Sequence, residues 1–136
     1  DLLRCTSRYG LDFRMNPYFP MVNTRVLLRA TCGLANNPAE QRRFMDSVFR
    51  HMWATETALK PDDESSVKVM CEAEGFEYSQ VLAFAEDPAN REAMQSNTDS
   101  AIARGAFGAP TFFVGDEMFF GHDRLDYAVE ALKAQA

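Results

Sequence analysis

The sequence predicts an α+β chain that is mostly helical. A run of helices fills residues 1–104, and a short strand–turn–strand–helix unit fills 105–136. Three observations predict this. Apolar residues recur at helical spacing through most of the chain. Capping residues and glycines punctuate that spacing. At Gly105 the pattern changes to β-rich residues around a glycine-containing turn.

The first helix is read from Leu2, Leu3 and Thr6, with Gly10 just past its end. The chain begins at Asp1 without an initiator Met, as if inside a helix already under way. The sequence is therefore expected to be the later part of a longer protein. Asn23 and Thr24 are candidate caps for a helix whose apolar side carries Val26, Leu27, Ala30 and Leu34. Asn37-Pro38 is a stronger start, a capping residue followed by proline at the first helical position. The helix after it places Phe44, Val48, Phe49, Met52 and Trp53 on one broad stripe.

"KPDDESS" interrupts that pattern, and Asp62 or Asp63 can cap a helix through Val67, Met70 and Cys71 that Gly75 closes. Ser79 starts a short helix through Val81, Leu82 and Phe84. Asp87-Pro88 opens another, with Ala93, Met94, Ala101 and Ile102 expected to face inward. Thr111–Val114 then reads as a strand, Gly115-Asp116 as a hairpin turn and Met118–Phe120 as the return strand. Asp123 is expected to cap a last helix carrying Leu125, Ala128, Val129 and Leu132 on one side. The order loop–proline–strand–turn–strand–helix is that of the second half of a thioredoxin-like domain.

Composition narrows the function classes. Lys plus Arg is 14 and Asp plus Glu is 20, a net charge of −6, which argues against a general nucleic-acid or anionic-membrane surface. No apolar run approaches the ~20 residues of a membrane span. Cys5, Cys32 and Cys71 are odd in number, widely spaced and without a Cys-x-x-Cys pair. They read as small core residues in a reducing compartment, expected to be the cytoplasm. His51 and His122 are too few and too far apart to make a zinc site by themselves.

Pro110, directly before a buried strand, poses a question, because proline cannot donate a ladder hydrogen bond. A resemblance supplies an answer. "GAFGAPTFFVGDEMFFGHDRLDYAVEAL" resembles the C-terminal signature of 2-hydroxychromene-2-carboxylate isomerases, relatives of kappa-class glutathione transferases in the DsbA-like branch of the thioredoxin superfamily. "DLLRCTSRYGLDFRMNPYFPMVNTRVLLRA" is similar to the same family's helix, "FP" loop and Asn-Thr helix start. The resemblance implies a C-terminal ββα part of a thioredoxin-like domain (105–136) joined to a helical insertion domain (1–104).

The resemblance also implies a site. Pro110 is expected to be cis, and Ala109 to offer its backbone N–H and C=O to glutathione as a short extra strand. Phe120, Gly121, His122 and Asp123 are expected to hold the γ-glutamyl end, with backbone N–H groups for the carboxylate and the Asp123 side chain for the ammonium. Phe19 is expected to wall an aromatic pocket, and Asn23 to contact a substrate carboxylate or carbonyl, with Arg25 a further carboxylate partner. The family's thiol-activating serine falls upstream of Asp1, so no catalytic residue is assigned here.

The function implied is a glutathione-dependent isomerase of aromatic catabolism. Its expected partners are glutathione and a small aromatic carboxylate, in a homodimer, with no nucleic acid, membrane or metal. Alternatives are a kappa-class-like glutathione transferase, a DsbA-like disulfide oxidoreductase, and a non-catalytic helical interaction module. A serine or a Cys-x-x-Cys upstream would separate the first from the oxidoreductase.

Overall fold

The computed structural model describes residues 2–135. The elements are α1 (Leu2–Tyr9), α2 (Arg25–Gly33), α3 (Pro38–Trp53), α4 (Glu64–Glu74), α5 (Tyr78–Glu86) and α6 (Pro88–Ala103). They are followed by β1 (Thr111–Val114), β2 (Glu117–Phe120), a 3-10 turn (His122–Arg124) and α7 (Leu125–Ala134). The chain divides into two compact units, Asp1–Met94 and Gln95–Ala136, with the division inside α6. No helix among the described residues is long and apolar enough to cross a membrane.

In the first unit the helix starts follow local chemistry. The Asn37 side chain accepts from the Glu40 N–H at 3.3 Å, and Pro38 occupies the first turn, where a missing N–H costs nothing. Asp63 accepts from the Ser66 N–H at 2.9 Å. Asn23 accepts from the Arg25 N–H at 3.1 Å. α4 ends at Gly75 in the left-handed conformation, with the Phe76 N–H reaching back to the Cys71 carbonyl at 2.8 Å.

The core of this unit gathers Leu27, Ala30, Phe44, Met70, Cys71 and Val81 from α2 to α5. Phe44 is fully buried, and Phe76 meets it edge-on at 5.2 Å. α2 and α5 pack closely because Gly33 has no side chain: a Cβ there would lie 2.5 Å from the Phe84 ring. All three cysteines are free thiols. Burial pushes the Cys71 thiol above its usual range, which suits an inert core residue.

α3 and α4 are also tied by charge. The Glu74 carboxylate meets His51 Nε2 at 2.8 Å, accepts from the Ser47 hydroxyl at 3.2 Å and pairs with the Arg50 guanidinium. The His51 hydrogen bond, Arg50 and Ser47 hold the Glu74 carboxyl below the usual carboxylate range, against an opposing effect of burial.

In the second unit β1 and β2 form a two-stranded antiparallel sheet with Val114 opposite Glu117 and Thr111 opposite Phe120. Gly115 takes the positive φ of the two-residue turn. α7 packs on this hairpin through Ala128, which is buried, while Leu125, Val129 and Leu132 border an open groove along β1.

Two expectations about burial are corrected. No residue of α6 is buried: Ala93 and Ile102 are exposed, and Met94 and Ala101 are only half covered. Phe49 is 63% exposed although it shares the α3 stripe with the buried Phe44 and Met52. Helical spacing defines a face, but the face is buried only where another element lies on it.

Candidate functional site

The C-terminal site is built by the loop before β1 and the turn after β2. The Ala109–Pro110 peptide is cis. The Pro110 carbonyl accepts from the Gly121 N–H at 2.9 Å, which continues the ladder by one bond and joins the two segments. The Thr111 hydroxyl donates to the Gly108 carbonyl at 2.6 Å and tightens the loop. Phe107 and Phe120 pack at 4.5 Å over Gly108, where a Cβ would come within 2.7 Å of the Phe120 ring.

Ala109 is exposed, and among the described residues its N–H and C=O make no hydrogen bond. A backbone N–H and C=O left open side by side is an acceptor–donor pair for another peptide backbone. Phe120, His122 and Asp123 are exposed beside it, and Gly121 is half-covered.

The expectation that Asp123 caps the last helix is corrected. A 3-10 turn comes first, with the Arg124 N–H bonded to the Gly121 carbonyl at 3.2 Å, and α7 begins only at Leu125. Arg124 holds the capping position of α7, and no side chain caps it. Asp123 thus sits inside the turn. Its carboxylate lies over Gly121, whose φ of 103° is open only to glycine and whose added Cβ would collide with Asp123 Oδ1. The carboxylate otherwise has only a loose contact with Arg124 Nε at 3.9 Å, and the Asp123 N–H takes no partner among the described residues. The segment presents an open N–H and an open carboxylate on the same residue.

In the first unit Phe19 lines an apolar pocket of about 360 Å³, together with Leu27, Leu28, Val48, Phe49 and Trp53. Its ring meets Trp53 edge-on at 5.7 Å, and Phe13 stacks on Trp53 at 5.9 Å. Asn23 does not line this pocket, and its side-chain oxygen is taken by the Arg25 N–H. Arg25 is exposed outside it.

Sequence reasoning missed Trp53 as a pocket wall, because its helical spacing also suits plain core. It also missed Asn16, a buried amide whose one local signal was the proline after it.

Residues 1–133 match the family of DSBA-like thioredoxin domains, and the chain belongs to that family. Two units, one of them a ββα hairpin–helix with a cis proline ahead of its first strand, agree with it. Within the family the chain is similar to 2-hydroxychromene-2-carboxylate isomerases. It is 34% identical over 128 residues to that of Pseudomonas putida, covering 92% of this chain and 59% of the relative. The isomerase of Sphingobium xenophagum is 28% identical over 93 residues, 68% of this chain and 47% of the relative. A solved structure of a selenomethionine 2-hydroxychromene-2-carboxylate isomerase superposes with a TM-score of 0.81 at 30% identity, covering 99% of this chain and 64% of that one. The chain therefore spans about three fifths of the Pseudomonas putida isomerase and of the solved chain, and about half of the Sphingobium xenophagum one.

Proposed function

We propose that this chain is part of a glutathione-dependent isomerase acting on a 2-hydroxychromene-2-carboxylate or a similar aromatic carboxylate. The observation that carries the reading is the open N–H and C=O of Ala109, exposed beside the Gly121–Asp123 turn. Glutathione is a peptide-like ligand with a zwitterionic γ-glutamyl end, and the donor set fits it. Ala109 pairs with its cysteinyl backbone, the Asp123 N–H donates to the γ-glutamyl carboxylate, and the Asp123 carboxylate accepts from the ammonium. Bound glutathione supplies a thiolate nucleophile that is returned unchanged at the end of the isomerisation.

The chain's own part is to bind and orient. Phe120, packed on Phe107, forms an apolar wall over Gly108. The apolar pocket of Phe19 and Trp53 takes the aromatic ring of the substrate and excludes water from it. The reading assigns thiol activation to a serine outside this sequence. The names of the relatives support the isomerase part, and the open Ala109 backbone supports glutathione.

The test is an ultraviolet assay of the full-length protein with a hydroxychromene carboxylate. Turnover that rises with glutathione and stops on its removal is expected. Equal turnover without any thiol overturns the glutathione reading, and none with glutathione overturns the isomerase reading.

A further inference from the structure

Asn16 is 1% exposed, and every part of its amide is engaged. Its Oδ1 accepts from the Tyr18 N–H at 2.9 Å, and its Nδ2 donates to the carbonyls of Met52 at 3.2 Å and Leu59 at 2.8 Å. The last carbonyls of any helix lack an intrahelical partner. At the end of α3 the Arg50 carbonyl accepts from the Ala54 N–H at 2.7 Å and the His51 carbonyl from the Leu59 N–H at 2.9 Å. The next two are taken by the loop after α1: Met52 by Asn16, and Trp53 by the Arg14 N–H at 2.6 Å. Residues 14–18 thus hang on the last turn of α3. Phe19 follows at once and reaches the ring of Trp53, the residue that ends the helix.

We propose that Asn16 is the positioning residue of the aromatic pocket: its amide fixes Phe19 against Trp53 and so sets the pocket's mouth. The value of the pocket to catalysis rests on the function proposed above, but the placement does not. Removing the amide leaves the Met52 and Leu59 carbonyls without their donor and the loop without its side-chain anchor. Phe19 is 53% exposed, and what else holds it is backbone bonding: its N–H donates to the Asn16 backbone carbonyl at 3.1 Å, and the Arg14 N–H ties the loop to Trp53.

Trp53 is the only tryptophan of the chain, so its signal reports the surroundings of one ring, against which Phe19 and Phe13 both pack. The variants are Asn16→Ala and Asn16→Ser, the second keeping a small polar side chain should the first fail to fold. Phe19→Leu, at an exposed position, removes the contact directly. Val67→Ala, buried in α4 and not a wall of the pocket, controls for general destabilisation. The readouts are near-ultraviolet circular dichroism of Trp53 and quenching of its emission by trans-cinnamate.

Both Asn16 variants and Phe19→Leu are expected to weaken the Trp53 band while keeping helical far-ultraviolet dichroism. The Asn16 variants are expected to bind cinnamate about tenfold more weakly, with Val67→Ala like the parent. An unchanged band in Phe19→Leu or in a folded Asn16 variant, or an equal loss in Val67→Ala, overturns the proposal. A parent chain that takes up no cinnamate counts against the aromatic-pocket reading instead, and the Trp53 band still decides the role of Asn16.

Discussion

At the scale of single residues the C-terminal site turns on Asp123. Its carboxylate caps nothing and its side chain is 65% exposed, so the fold does not depend on it. The ion contact with Arg124 at 3.9 Å is a surface pair of little worth. Asp123→Ala is therefore expected to leave the urea midpoint of unfolding equivalent to within about 0.5 kcal/mol. In the full-length protein it is expected to weaken glutathione by about 1–3 kcal/mol, the scale of a lost charged hydrogen bond. Calorimetry with glutathione and with N-acetylcysteine, which lacks the γ-glutamyl group, checks this. Equal loss for the two thiols would show that Asp123 does not read the γ-glutamyl end.

At the scale of elements, α3 and α4 are held by apolar burial and by one charged cluster. The Glu74 carboxyl is held below its ordinary value by His51, Arg50 and Ser47. A lowered folded pKa means that the unfolded chain binds the proton more readily. The stability gained is present above the unfolded value of about 4.3 and is lost as pH falls through the folded one. Glu74→Gln cannot titrate, so it is expected to flatten the acid side of the stability profile and to lower stability near pH 7. Urea unfolding of both proteins between about pH 3 and 7 measures this, and parallel profiles would remove Glu74 from the account. The cluster was not legible in the sequence. His51 and Glu74 lie 23 residues apart, and only the packing of two helices brings them together.

At the scale of the whole molecule, the open side of β1 matters most. Among the described residues β1 pairs with β2 alone. The two-residue turn makes Val114 and Glu117 a hydrogen-bonded pair, so by alternation Thr111 and Phe113 turn their backbone groups away from β2. Beside that edge lies the groove of about 390 Å³ bordered by Leu125, Val129 and Leu132. An apolar groove along an open strand edge favours association. This chain by itself is expected to self-associate as its concentration rises, measured by sedimentation velocity. A single monomeric species across the accessible range would show that the edge is protected.

The sequence by itself determined where several elements begin and end. Asn37-Pro38, Asp63, Gly75 and Gly115-Asp116 act on atoms within a few residues of themselves, so their effects are local and readable. The resemblance of its C-terminal segment to the isomerases implied that the loop around Pro110 and the Gly121–Asp123 segment work together, and the Gly121–Pro110 hydrogen bond joins them. The tertiary structure decided what each face and each polar atom meets. α6 carries an apolar pattern of which no residue is buried, and Asp123 lies in a 3-10 turn that Gly121, at positive φ, opens before α7 begins. Asn16 finds its acceptors 36 and 43 residues away. The physical reason is range: a cap or turn is satisfied by its neighbours along the chain, whereas burial and long-range hydrogen bonds depend on what lies opposite in space.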